Sequence, residues 1–229
     1  MYDFAYHKAS SVADAVAKAK GNDDAKFMAG GQTLIPTLKQ RLARPSDVID
    51  LAGVADLKAI SVSGGVATIG AMATHAAVAG SADLKKAIPA LAALAEGIGD
   101  PQVRNRGTIG GSVANNDPAA DYPAGVLGLG ATIHTDRRQI AADDFFMSVF
   151  TTALDAGEMI TKIAFPVPEK AAYVKFPSPA SRYAMIGVFV AKTAKGARVA
   201  VTGAGNGVIR IRSMEAALDK SWSASSLDG

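Results

Sequence analysis

Two glycine-bearing turns, Ala29-Gly30-Gly31-Gln32-Thr33 and Thr108-Ile109-Gly110-Gly111-Ser112, carry residue types suited to gripping an anion. Glycine reaches positive φ and has no Cβ, so successive amide N–H groups can converge on one ligand. Side chains at Gln32, Thr33, Thr108 and Ser112 add further hydrogen-bonding groups. Two such turns suggest one ligand held from two sides, and a diphosphate is the natural candidate. The first turn follows a short apolar run at 26–28, read as a buried strand, and precedes a helical pattern at 34–42. That context aims free N–H groups and the helix's positive end at one spot. The turn is neither a GxGxxG nor a P-loop, so alone it equally suits a plain strand-to-helix connection.

The second turn lies inside residues 100–121, which contain Gln102, two arginines, several amides, a glycine pair and Asp121. Few apolar residues recur periodically there, and the segment is expected to be a long ordered loop that binds something. Asp121 stands beside an expected helix start, either as its N-cap or as a carboxylate bonding ligand hydroxyls. The three histidines, His7, His75 and His134, lack metal-ligand spacing and read as isolated residues. The Asp23-Asp24 and Asp143-Asp144 pairs point their side chains apart and read as solvated turns. No Ser-His-Asp arrangement is present, so any chemistry would be carried by a cofactor. The chain has no cysteine, which excludes disulfides, thiolate metal sites and iron–sulfur clusters on this polypeptide.

Around these turns the pattern predicts helices at 10–20 (after a serine cap), 34–42, near 74–78, at 88–97 and from 213. Strands are expected at 26–28, 47–51, 127–135 and 159–165, with a hairpin at 59–70 turning on Gly64-Gly65. Beyond Pro166 and Pro168, further strands at 173–176, 188–191, 198–203 and 208–212 suggest a second, smaller sheet, and 221–229 reads as a frayed end. Composition is that of a globular protein, 49% hydrophobic and 20% charged in 229 residues. A net charge of +3 without a basic stripe argues against nucleic-acid binding. No signal-peptide pattern and no bilayer-length apolar run is evident, so a soluble, cytoplasmic protein without membrane insertion is expected.

Taken together, the two turns and their flanks resemble the FAD-binding (medium) subunit of the molybdenum hydroxylases, the family of xanthine dehydrogenase and aerobic carbon monoxide dehydrogenase. Residues 29–36 follow the family's AGG-Q/H-S/T-L-x-P, residues 104–111 its R-N-x-G-T-I/L-G-G, and residues 112–121 its S-x-A-x-x-D-P-x-A/S-D. Glu158-Met159-Ile160 before Pro166, Lys175-Phe176 and Ser181-Arg182-Tyr183 extend the similarity along nearly the whole chain. The resemblance implies an α+β fold. A vanillyl-alcohol-oxidase-type (PCMH-like) FAD-binding domain would span 1–170, as two α/β subdomains of about 1–52 and 53–170. A small C-terminal α/β domain of the carbon monoxide dehydrogenase flavoprotein type would follow over 171–229.

By that resemblance the two turns grip the FAD diphosphate from both sides. Asp121 bonds polar FAD groups, Ile160 contacts the adenine side, Lys175 and Tyr183 lie near the isoalloxazine, and Thr74 and Gln102 line the same cleft. The family's partners are an iron–sulfur small subunit with 2Fe–2S clusters and a large subunit with the molybdopterin cofactor, arranged as a dimer of heterotrimers. Electrons would run from those clusters through FAD to an external acceptor. The missing cysteines suit this division and argue against the benzoyl-CoA reductase branch, whose flavin subunit ligates an extra cluster. Family members continue past the Ala-Leu-Asp region into a helical segment with a Tyr-Arg pair, so the C-terminal domain is expected to be shortened. A stand-alone FAD-dependent oxidase or reductase is the alternative, and it is disfavoured because no substrate acid or base stands among the loops.

Overall fold

The computed structural model describes residues 1–227, and it mixes short helices with four β-sheets. The chain opens with β1 (Ala5–Lys8), α1 (Val12–Ala19), β2 (Lys26–Met28), α2 (Leu34–Lys39) and β3 (Asp47–Asp50). The strands pair in parallel in the order β1-β3-β2, with Tyr6 opposite Val48 and Phe27 opposite Ile49. Parallel neighbours need crossovers, and the two helices supply them. Ser11, one residue after the start of the expected helix, caps α1 by accepting from the Asp14 N–H at 3.0 Å. Strand β1 has no sequence signature because its residues are mostly exposed.

A second sheet begins with the hairpin of β4 (Ile60–Ser63) and β5 (Val66–Gly70). Gly64 and Gly65 both adopt positive φ, +57° and +75°, as its two-residue turn requires. Five helices follow: α3 (His75–Gly80), α4 (Ala82–Ala87), α5 (Pro89–Glu96), α6 (Pro101–Arg106) and α7 (Ile109–Asn115). The expected long loop is therefore corrected: residues 100–121 hold α6 and α7. Asp100 and Thr108 cap them by accepting from the N–H groups of Val103 and Gly111, and Pro101 at the first helical position starts α6. Capping chemistry outweighed the weak apolar periodicity.

Next come α8 (Tyr122–Gly128), β6 (Thr132–Thr135), β7 (Gln139–Ala141), α9 (Ala142–Phe145), β8 (Phe146–Ser148), β9 (Thr151–Thr152) and β10 (Ile160–Pro166). The strand expected over 127–135 is shorter than predicted, because Leu127 and Gly128 end the buried helix α8 and a turn with Gly130 at φ +63° intervenes. The sheet runs β4-β5-β10-β6-β7, antiparallel throughout, while β8 and β9 form a small separate hairpin.

The third part is a meander of β11 (Lys170–Pro177), β12 (Ala184–Thr193), β13 (Gly196–Thr202) and β14 (Ile209–Arg210), backed by α10 (Arg212–Lys220). Its inner face is continuous with the main core. Phe189 is fully buried among Leu91, Leu94 and the α8 residues. A Cβ at Gly128 would come within 2.8 Å of the Phe189 ring, so the small residue lets the sheet approach α8. The Arg198 guanidinium donates to the Leu127 carbonyl at 2.7 and 2.9 Å and pairs with Asp143 at 2.9 Å, tying the meander to the preceding unit. Of the segment expected to fray, Ala224–Leu227 form one 3-10 turn, and residues 228–229 lie outside the described part. No helix among the described residues is long and apolar enough to cross a membrane.

Candidate functional site

A cleft of about 520 Å³ opens between the β2–α2 connection, the start of α7 and the segment that leads into β12. One wall is the first glycine turn between β2 and α2. The opposite wall is the start of α7, and Asp117 to Asp121 with residues 181–183 close the far end. The walls touch through glycine. A Cβ at Gly30 would overlap the Arg106 carbonyl, and one at Gly111 would lie 3.6 Å from the Ala29 Cβ. Gly31, at φ +76°, swings the chain into α2.

The two turns differ in what they offer. In the first, the N–H groups of Gly30, Gly31, Gln32 and Thr33 have no acceptor among the described residues, and Thr33 makes no side-chain cap. In the second, Ile109 and Gly110 donate to the carbonyls of Ala73 and Ala71 at 3.1 and 2.9 Å, and Gly111 donates to Thr108 Oγ1 at 3.1 Å. Free amide donors therefore come from the first turn, whereas the second supplies a close, Cβ-free surface and the Ser112 hydroxyl. This corrects the expectation of converging N–H groups from both turns.

Of the residues singled out in the sequence, Ala29, Gly30, Gly31, Gln32, Thr33, Thr108, Gly111, Ser112, Asp121 and Tyr183 line the cleft. Gly110 turns away from it, packed on Ala71, and Ile109 is fully buried beside it. Thr74 caps α3, accepting from the Ala77 N–H, and bridges to Thr108. It lines a smaller hollow of about 280 Å³ that shares Ala29, Gly30 and Thr108 with the cleft and adds Lys58, Asn105 and Arg106. Ile160 is buried at the start of β10, and Gln102 is exposed on α6; neither lines either hollow. Lys175 stands behind Asp121.

Asp121 does not cap α8 with its side chain. Its carboxylate accepts instead from the Tyr173 hydroxyl at 2.5 Å and from Lys175 Nζ at 3.1 Å. Burial pushes the carboxyl upward, and those two donors pull it back toward the charged form. The turn before it is held by the meander: Thr202 Oγ1 donates to the carbonyls of Pro118 and Ala120 at 2.8 Å, and the Gly203 N–H donates to Pro118.

Sequence reasoning missed His75. Reading it as an isolated residue hid its place in the cleft wall, under Gly107 and tilted against Tyr122 with ring centroids 5.3 Å apart. Burial, with help from the positive charge of Arg104, holds the imidazole neutral down to about pH 4. The Ala73-Thr74-His75 capping sequence marks a helix start but carries nothing that announces this position. Across the mouth, Arg182, at φ +62°, donates to the Gly99 carbonyl at 3.3 Å. No group of three metal-ligating side chains exists among the described residues. The arrangement suits an elongated ligand with an anionic centre and hydroxyl groups. Among the described residues it offers no nucleophile hydrogen-bonded to an adjacent base.

Residues 2–168 match the model of the FAD binding domain in molybdopterin dehydrogenase. The chain is similar to the carbon monoxide dehydrogenase medium chain of Afipia carboxidovorans, 39% identical over 203 residues, covering 85% of this chain and 70% of that one. It is also similar to the nicotine 6-hydroxylase medium subunit of Paenarthrobacter nicotinovorans, 35% identical over 94% of this chain and 80% of that one. Among solved structures, a chain of reconstituted CO dehydrogenase from Oligotropha carboxidovorans superposes with a TM-score of 0.93 at 35% identity, covering 99% of this chain and 84% of that one.

Proposed function

Because the chain belongs to the family of FAD-binding domains in molybdopterin dehydrogenases, we propose that it holds one FAD, non-covalently, as the medium subunit of a molybdenum hydroxylase. The observation that carries the reading is the set of four amides at Gly30–Thr33 without acceptors among the described residues, in one cleft with Gly111 and the buried carboxylate of Asp121. Amides without acceptors that share a cleft suit a diphosphate. The Ser112 hydroxyl reaches the same region, and Asp121, as an acceptor-only carboxylate, suits ligand hydroxyls or N–H groups. Gly30 and Thr108 form a waist shared by the two hollows. An extended dinucleotide would pass this waist, its flavin end toward Asp121 and Tyr183 and its adenine end toward Thr74. Ile160, buried at the start of β10, would act from behind these walls by shaping them, whereas exposed Gln102 is left without a part in holding the ligand.

When bound, the flavin supplies reversible electron exchange, linking 2Fe–2S clusters of a small subunit, themselves fed from a molybdopterin large subunit, to an external acceptor. This chain's residues bind, orient and shield; none is assigned a proton-transfer step, since the cleft histidine is buried and neutral. We assign the FAD-binding unit to residues 1–170 and a small C-terminal unit from 171. A dimer of heterotrimers in the cytoplasm completes the reading.

The test is reconstitution. The purified chain is expected to take up one equivalent of FAD, with quenched flavin fluorescence and a perturbed visible spectrum. Purified from the organism that makes it, it should copurify with a cysteine-rich chain and a larger one. Absence of flavin uptake under any reconstitution condition refutes the proposal; uptake with turnover by the isolated chain would favour a stand-alone oxidase or reductase.

A further inference from the structure

We infer that Tyr173 is a positioning residue of the cleft, fixing the orientation of the Asp121 carboxylate at the cleft wall through its hydroxyl. The ligand's identity rests on the FAD reading above; the arrangement itself is read from this chain's own residues. Asp121 lines the cleft yet is only 4% exposed. Its Oδ1 accepts from the Tyr173 hydroxyl, while Lys175 Nζ lies 3.0 Å from Oδ1 and 3.1 Å from Oδ2 and so spans both oxygens. Lys175 is in turn tethered to the Gly97 carbonyl at 2.9 Å. Tyr173 and Lys175 alternate on β11 and so share the inner face of the meander. Together they back the carboxylate from one side.

The fold makes room for the phenol. Gly187, on the neighbouring strand opposite Lys175, would overlap the Tyr173 hydroxyl if it carried a Cβ. The Tyr173 ring packs on Phe189, 6.1 Å between centroids. A phenylalanine would satisfy that packing equally, so the hydroxyl and the glycine that accommodates it need another reason. A buried carboxylate with too few donors becomes neutral. Once neutral it loses its charge, and one of its two oxygens turns from a pure acceptor into a donor. The other titratable groups around Asp121 are Asp117 and Tyr183 on the cleft walls, Tyr122 next in the chain and His75 beyond it. None of them donates to the carboxylate among the described residues.

The experiment uses Tyr173→Phe, which keeps the ring and removes one oxygen, with Asp121→Asn and the double variant as controls. In ligand-free protein labelled with carboxyl-13C aspartate, the Asp121 resonance, identified by its loss in Asp121→Asn, should titrate at clearly higher pH in Tyr173→Phe. In the FAD arm, the variant's Kd should match the intact protein near pH 8 and become about tenfold weaker relative to it near pH 5.5. In the Asp121→Asn background the same change should add no pH dependence. An unmoved Asp121 titration, or a pH effect that persists without the carboxylate, overturns the inference. If the intact chain binds no FAD while the titration moves as expected, the positioning role stands and the cofactor reading falls.

Discussion

Gly110 and Gly111 are adjacent, and both belong to the motif that resembles a flavin-gripping loop, yet alanine at each should act on a different property. At Gly110 the new Cβ would sit 2.5 Å from the Ala71 Cβ and 2.7 and 2.8 Å from its O and Cα. That alanine's carbonyl is the acceptor of the Gly110 N–H, so backbone is pressed on backbone and nothing nearby can rotate away. Overpacking of this kind costs about 1–3 kcal/mol. Taking ~2 kcal/mol, the melting temperature of the ligand-free chain should fall by roughly 4–8 °C, at the 2–4 °C per kcal/mol of a protein this size.

At Gly111 the Cβ would meet Thr108 Oγ1 at 2.9 Å and then face the cleft. Disturbing that cap costs about 1 kcal/mol. Replacing a helical glycine by alanine recovers about as much. The ligand-free melting temperature should therefore stay within about 2 °C, while FAD affinity drops at least about tenfold, or 1.4 kcal/mol. Thermal unfolding of both variants without ligand, paired with flavin-fluorescence titration, separates the two effects. If Gly110→Ala melts like the parent but loses flavin, or Gly111→Ala unfolds as easily as Gly110→Ala, the assignment of inner and outer glycine is wrong.

Two further outcomes are expected. His75 stays neutral in the fold down to about 4, whereas an unfolded histidine takes up its proton near 6.5. Below 6.5 the unfolded chain thus binds the extra proton, so this contribution is complete above that pH and falls by roughly 3 kcal/mol on the way to pH 4. Urea unfolding at pH 7 and 4.5 should show most of that loss, and His75→Gln should reduce it; equal slopes in the two proteins would contradict the assignment. The Asn116 side chain, buried at φ +46°, donates through Nδ2 to the carbonyls of Ser148 and Thr151 at 2.8 Å, and its backbone carbonyl accepts from the Phe150 N–H. Asn116→Ala should cost about 2–4 kcal/mol through lost bonds and left-handed strain, with faster amide exchange across residues 146–152. Unchanged exchange there would show that the hairpin does not depend on Asn116.

Much of the fold was legible because local rules coincided with it. The Gly64-Gly65 hairpin, the strand–turn–helix around Gly30 and the Thr74 cap all rest on neighbours in sequence, and the structure keeps them. The segment 100–121 was misjudged because α6 and α7 are single-turn-scale helices set by Asp100, Pro101 and Thr108, too short for an apolar period to appear. Leu127 was misplaced for the opposite reason. Helix α8 is buried on every side, and such a segment has no polar face to distinguish it from a buried strand.

The sequence by itself determined the family, the absence of thiol chemistry and the identity of both glycine turns, since these depend on residue type and spacing. Only the tertiary structure decided which amides are free. The backbone of Ala71 and Ala73, far from the second turn in the chain, consumes two of its donors and leaves the first turn's four without acceptors. It also decided that Gly110 faces the core while Gly111 faces the cleft, that Lys175 acts from behind Asp121, and that His75 is a wall of the site. Each of these depends on what long-range packing places opposite a residue, and a linear pattern carries no record of that.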